Sequence, residues 1–229
     1  QAKVPKDVNA SEQEIVHTYV WNWLRGNDDR FANDRATDQT LEALSNQLAV
    51  ESSQNRRASL VNQIGLRRER AAIPALVQAL TDEHEPVRVN AVYALAACGE
   101  SATDALVEEM DAGKDAFERE RILHVSEAAY ALAAMGKPAV PTLKKLLSNE
   151  RDHIRGAAIF ALGDMGPLAT DAVESLVPLL ESEEHLMLRH VITALGLIKH
   201  PADRIVPALA TVLDQQEPEI AHIAAQALT

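Results

Sequence analysis

Only one cysteine, Cys98, occurs in the 229 residues. An intrachain disulfide is thereby excluded, and so is a zinc site built from paired cysteines. A lone cysteine suits the cytoplasm and is compatible with the periplasm as well. Aromatics make up 3 %, with nine glycines and ten prolines in all, a composition unlike that of a sandwich of short strands or a disordered chain. No apolar run approaches the ~18 residues of a membrane-spanning helix, and no secretory leader is visible, so membrane insertion is not expected. Positive charge is scarce too: 22 Lys and Arg against 34 Asp and Glu leave a net charge of −12. Nucleic-acid binding needs a cationic stripe that releases counterions, so nucleic acid is not an expected partner. There is no GxxxxGK[ST] loop, no HExxH, no GxSxG and no glycine-rich dinucleotide turn. The sequence therefore assigns no catalytic residue, no cofactor and no metal.

What the chain does have is repetition. Helix-length stretches close on LVNQIG (Leu60 to Gly65), ALAACG (Ala94 to Gly99), ALAAMG (Ala131 to Gly136), ALGDMG (Ala161 to Gly166) and ALGLIK (Ala194 to Lys199), with QAL (Gln226 to Leu228) at the end. Closing positions 65, 99, 136, 166 and 199 lie 34, 37, 30 and 33 residues apart, the period of a supersecondary repeat array. Half a unit away, Leu76, Leu106, Leu143, Leu176 and Leu209 recur, with Pro74, Pro141 and Pro207 early in their helices, where a missing amide costs nothing. Each unit is thus a helical pair. Its second helix carries V-R-x-x-A-x-x-A-L or a variant, beginning at Val87 with Arg88 and at Ile154 with Arg155. Alanine and glycine let neighbouring helices approach, and leucine and isoleucine fill the space between layers.

EPVRVNAVYALAACGE and DHIRGAAIFALGDMG, each followed by an Ala-Leu helix, resemble the HEAT-like repeats also found in phycobilisome lyases. The resemblance covers residues 52–229 and implies a right-handed α-solenoid, an alpha-alpha superhelix of about five HEAT-like helical pairs. It implies a binding surface more directly than an activity, because the family includes scaffolds, bilin-attaching lyases, a DNA glycosylase branch and tails of larger enzymes. A separate stretch, WNWLRGNDDRF, is similar to the connector that follows phytanoyl-type 2-oxoglutarate-dependent dioxygenase domains. That similarity implies a catalytic domain upstream in the same polypeptide, whose His-x-Asp ligand pattern this chain does not contain. An accessory tail of such an enzyme and a bilin-lyase-like protein therefore stand as alternatives to a scaffold.

Residues 1–51 precede the clear pattern. Ser11 and Glu14 make a capping box before a helix to about Arg25, whose Ile15, Tyr19 and Trp23 share one face that should cap the first repeat. TDQTLEALSNQLAV then reads as the first helix of a degenerate leading unit. Trp21 points away from the Trp23 face and is a candidate contact. The chain begins on Gln1 and closes at Thr229 inside a unit, which leads us to expect further sequence in the native protein.

Aligning the second helices on Ala94, Ala131, Ala161, Ala194 and Ala227 puts Tyr93, Tyr130, Phe160, Thr193 and Gln226 at one position, with Ser59 preceding them in the leading unit. Asn90, Glu127, Ala157, His190 and Ile223 line up beside this column, and Ala97, Ala134, Asp164 and Leu197 one turn further on. In the family that position generally faces the concave groove, where aromatics bury much area with little rotamer loss. Tyr93, Tyr130, Phe160, Asn90, Glu127, Asp164, His190, Thr193 and Gln226 are thus the candidate contacts for a protein or peptide partner, unless the rings merely pack between units. GKDAFERERILHV lengthens the second unit and offers Phe117 as a further contact. Histidines and acids collect in DEHEP, ERDH and ESEEH, but His84, His153 and His185 are not equivalent in register, and acids at helix starts have a simpler role in capping. The group Arg56, Arg57, Arg67, Arg68 and Arg70 is expected to pair with neighbouring acids. Cys98 aligns with Ile64, Met135, Met165 and Ile198, which predicts a buried space-filler.

Overall fold

The computed structural model describes residues 39–111, 127–182, 185–215 and 218–229, and every regular element among them is helical. In chain order these are α1 (Leu41–Val50), α2 (Gln54–Arg67), α3 (Ile73–Ala79), α4 (Glu85–Cys98), α5 (Thr103–Met110), α6 (Glu127–Met135), α7 (Val140–Leu146), α8 (Asp152–Asp164), α9 (Val173–Leu176), α10 (Leu179–Ser182), α11 (His185–Ile198), α12 (Ala202–Gln215) and α13 (Pro218–Ala227). Successive helices pair, α1 with α2 and α3 with α4 onward, and each pair packs on the next. The result is an α-solenoid. Trp21 and Phe117 lie outside the described residues, as does the helix expected before Arg25.

The two leucine periods become two buried columns. Leu76, Leu106, Leu143, Leu176 and Leu209 in the first helices are all fully buried, and so are Leu95, Leu132, Leu162 and Leu195 in the second. At three junctions between consecutive second helices the contact is made by glycine on alanine. A methyl added at Gly163 would stand 2.9 Å from the Ala194 Cα, and one at Gly196 would stand 2.6 Å from the Ala227 Cβ. Gly65 meets Ala94 in the same way. One layer is thus spaced by the smallest residues and the other by leucine.

Second helices stop on a left-handed residue, which turns the chain back and frees it from the i−4 ladder. The residues are Arg68 (φ 52°), Gly99 (59°), Gly136 (72°), Gly166 (54°) and Lys199 (62°). The first closing position is therefore Arg68 and not Gly65, which corrects the expected register of the leading unit by three residues. Gly65 is a stacking glycine, equivalent to Gly163 and Gly196. Pro207 is a second correction. Pro74 and Pro141 do sit in the first turns of α3 and α7, each after a short 3-10 turn, whereas Pro207 lies inside α12. In the last unit α12 runs on from Ala202 through the stretch that is a 3-10 turn elsewhere, so the proline falls mid-helix.

Candidate functional site on the second-helix face

The starts of three second helices, α2, α4 and α8, are each fixed by a side chain that accepts the amide two residues on. Glu51 accepts from Ser53 N at 2.8 Å, Asp82 from His84 N at 2.9 Å and Asn149 from Arg151 N at 2.9 Å. An arginine one turn into the helix then reaches back to the carbonyls of the same turn. Arg57 donates to Glu51 O at 3.1 Å, Arg88 to Asp82 O at 2.9 Å and Arg155 to Asn149 O at 3.1 Å. Two of these arginines also tie their unit to the next. Arg57 Nε donates to Asp82 Oδ2 at 2.8 Å, and Arg88 Nε to Glu127 Oε1 at 2.6 Å. Burial pushes the Asp82 carboxyl up, yet the His84 amide and the Arg57 guanidinium outweigh it and hold its pKa below the usual carboxylate value. The V-R motif was visible in the sequence, but its carbonyl acceptors were not, since they are backbone groups of a turn.

This framework presents the aromatic column. The Tyr130 and Phe160 rings meet edge to face, their centroids 5.1 Å apart at 77°, a favoured arrangement of ring quadrupoles. Tyr130 is 43 % exposed, Phe160 is half-buried, and Tyr93 is half-buried against the core. The column thus grades from packed at Tyr93 to open at Tyr130. Burial raises the pKa of both tyrosine hydroxyls, and the negative charge of Asp164 raises them further, with Glu127 adding to the effect on Tyr130. Tyr93, Tyr130, Phe160 and Asp164 form one neighbourhood.

The remaining candidates divide. Glu127 is held by Arg88 in the unit before it, and Asn90 Nδ2 donates to Ala58 O at 3.2 Å. His190 is half-buried, its Nε2 is unpartnered, and burial lowers its pKa. Thr193 and Gln226 are exposed, Thr193 turning its hydroxyl onto the Arg189 carbonyl at 2.8 Å. In the leading unit the corrected register puts Asn62, not Ser59, at the column position. Asn62 is 4 % exposed and its Oδ1 has no partner.

Cys98 departs from the expectation. Met135, Met165 and Ile198 at its position are 4 %, 2 % and 0 % exposed, but Cys98 is only half-buried. The corrected register replaces Ile64 with Arg67 as its leading counterpart. Burial still pushes the thiol pKa up. Arg56 pairs with Glu51, Arg57 with Asp82 and Arg67 with Glu69. No group of three or more potential metal ligands occurs among the described residues. No described helix is long and apolar enough to cross a membrane.

Stacked helical pairs, each stopped by a left-handed residue and spaced by small side chains, define a helical-repeat solenoid. The family profile described as HEAT repeats matches residues 41–126, 124–196 and 154–229, and the chain belongs to that family. Among solved structures it is similar to the CpcE–CpcF complex of phycocyanin lyase from Nostoc sp. PCC7120, at 21 % identity and TM-score 0.37, covering 97 % of this chain and 91 % of that one. It is similar to a computationally designed armadillo repeat protein for modular peptide recognition, at 19 % identity and TM-score 0.41, covering 92 % and 97 %. It is also similar to human deoxyhypusine hydroxylase, at 21 % identity and TM-score 0.34, covering 96 % and 80 %. No curated protein matches the chain.

Proposed function

We propose that the array is a non-catalytic interaction module that binds a peptide or partner domain along its inner, second-helix face. The observation that carries this reading is the Tyr130–Phe160 pair, two rings in edge-to-face contact with 43 % of Tyr130 left to solvent. A ring that served only to fill space between units would be buried as Ala131 and Leu132 beside it are. Exposed aromatics in a preformed row are what hot spots are made of, since they bury area on binding at low entropic cost.

The test is affinity capture from source lysate with the wild-type chain and the triple variant Tyr93→Ala, Tyr130→Ala, Phe160→Ala, with melting of both followed by circular dichroism. Loss of partners at similar melting temperature supports the reading. An unchanged partner set would remove the inner face from consideration. A large fall in melting temperature would make the rings structural. The lyase alternative is separated by titration with a linear tetrapyrrole: a lyase-like protein changes the pigment's absorption spectrum, and an interaction module leaves it unchanged.

A further inference from the structure

Ile73, Thr103, Val140 and Val173 recur in successive first helices and are buried, whereas Val206, the next of that series, is 48 % exposed. In the second helices Val92, Ala129, Ile159 and Ile192 are buried, and Ala225 after them is exposed. Leu213 and Leu228 are half-buried, where their counterparts Leu180 and Leu195 are buried. Gly163 and Gly196 meet Ala194 and Ala227 of the following unit, and Thr229, at their place in the last unit, is exposed. These are the positions through which one unit meets the next, so the end of α12 and α13 is a junction surface left open. The opposite end of the array is built differently. Ala94, Ala131, Ala161 and Ala194 face the preceding unit and are buried, but the leading unit has Gln63 there, its Nε2 donating to Ser59 Oγ at 3.2 Å. Arg56 stands where Val87, Ile154 and Met187 are buried, and it is exposed and paired with Glu51. The leading end thus carries polar side chains at junction positions, and the trailing end keeps the apolar ones of an interior junction.

We propose that the open end of α12 and α13 is an interaction surface for a further helical pair of the same repeat kind, carried by the same polypeptide beyond Thr229 and stacked in the register of the interior junctions. An alanine of its second helix lies against Thr229, and an apolar side chain of its first helix covers Val206. The surface continues the interface repeated along the array, and that continuity names its occupant. Charged side chains of the last pair leave it clear. Arg204 turns back to Glu174 at 2.6 Å and Glu219 to Arg189 at 2.9 Å, both in preceding units. A second copy stacked head to tail would offer Arg56 and Gln63 to this face, burying a guanidinium and an amide against apolar groups. A copy turned tail to tail would set Thr229 near its own counterpart, whereas each glycine junction joins the stacking position of one unit to the alanine position of the next. The proposal does not depend on the second-helix face binding a partner.

The experiment compares the 229-residue chain with one extended after Thr229 by a second copy of its own residues 164–196, so that Thr229 precedes the copied Asp164 as Gly163 precedes the original. Light scattering gives the mass of each protein, and amide hydrogen exchange is followed in the peptides of α12 and α13, whose sequences the copy does not share. The 229-residue chain should be a monomer. The extension should slow exchange in α12 and α13 by about tenfold or more, because opening them then breaks a second junction. Val206→Glu should abolish that slowing while leaving the melting temperature of the unextended chain nearly unchanged. Thr211→Glu is the control: it adds the same charge on α12 at a position exposed in this unit and at Gln78, Glu108 and Lys145 in others, and it should keep the slowing. A dimeric 229-residue chain that Val206→Glu makes monomeric would overturn the proposal in favour of a second copy. Unchanged exchange on extension, whether the copied pair stays unfolded or folds apart, would also overturn it, as would equal effects of the two substitutions.

Discussion

The two layers of this solenoid are built to opposite rules. First helices other than α12 are short, with α3, α7 and the divided α9–α10 preceded by 3-10 turns, and the first helices meet through fully buried leucines. Second helices such as α2, α4 and α11 run for 14 residues and meet through glycine and alanine at near-backbone distance. Leucine sets a wide spacing and glycine a narrow one. The ring pair lies at a junction where Ala133 takes the place of the stacking glycine: Tyr130 on α6 and Phe160 on α8, 30 residues apart in sequence, come to 5.1 Å between centroids.

The strongest way to break the comparison is to empty the outer layer. Leu143 is fully buried, and Leu143→Ala should lower the free energy of unfolding by about 2–5 kcal/mol in urea titration, the transfer loss plus the cavity left behind. The reverse perturbation is to fill the inner layer. Gly163→Ala puts a methyl against the Ala194 backbone at 2.9 Å, where neither partner has a rotamer to yield. We expect a cost of about 1–3 kcal/mol, with little change in near-ultraviolet dichroism, because the Tyr130–Phe160 pair spans α6 and α8 while Gly163 closes the junction of α8 with α11. Gly136→Ala is the useful companion, because a methyl at Gly136 meets only Leu168 Cδ1 at 3.8 Å and its cost comes from φ alone. A Gly163→Ala protein as stable as wild type would sink the claim that α8 and α11 are held at the spacing of a glycine on alanine.

Asp82 joins the first two units, and its contribution should show in pH dependence. Its folded pKa is depressed below 3.8, so the stability it gives is present above the unfolded value and is lost as pH falls through the folded one. Asp82→Asn should cost about 1–2 kcal/mol at neutral pH. Its urea midpoint should then fall less than that of wild type between about pH 6 and pH 3. Parallel decline of the two curves would mean that Asp82 does not link the units by charge.

Much of this architecture was legible in the sequence, and the part that was not has a physical reason. The leucine columns and the Ala-Leu pairs follow directly from period, because burial on every turn requires the same residue class at the same place. The register of the leading unit did not, because glycine has two uses in this repeat three positions apart. ALGDMG shows both: Gly163 stacks and Gly166 adopts positive φ. LVNQIGLRR has the stacking glycine only, and its left-handed seat is Arg68, so Gly65 passed for the stop. The aromatic column survived the correction, since each unit that carries one of its rings closes on a positive-φ glycine, Gly99, Gly136 or Gly166. Its gradient of exposure was not legible, because whether Tyr93 packs or faces solvent depends on neighbours two units away. Nor were the arginine clamps, whose partners are carbonyls with no residue identity.

Lys199 sharpens the comparison at its far end. It holds φ 62° where Gly99, Gly136 and Gly166 hold similar values, and a non-glycine residue there is strained by its Cβ against the carbonyl. Lys199→Gly should therefore stabilise the protein by about 1 kcal/mol, seen as a higher urea midpoint with unchanged slope. A neutral or destabilising result would mean that entropy lost by the glycine on folding offsets the relief.

The smallest effect is expected at Asn62, the polar counterpart of the aromatics in the leading unit. Its side chain is buried and Oδ1 accepts nothing, so that oxygen carries a desolvation cost with no hydrogen bond to offset it. Leucine has the same branching and the same number of side-chain heavy atoms. Asn62→Leu should raise stability by up to about 1 kcal/mol, where the same substitution at a satisfied asparagine such as Asn90, bonded to Ala58 O, should lower it. If Asn62→Leu is instead destabilising, the amide is satisfied in solution by water, and the leading unit's inner face is wet where the aromatic units are dry.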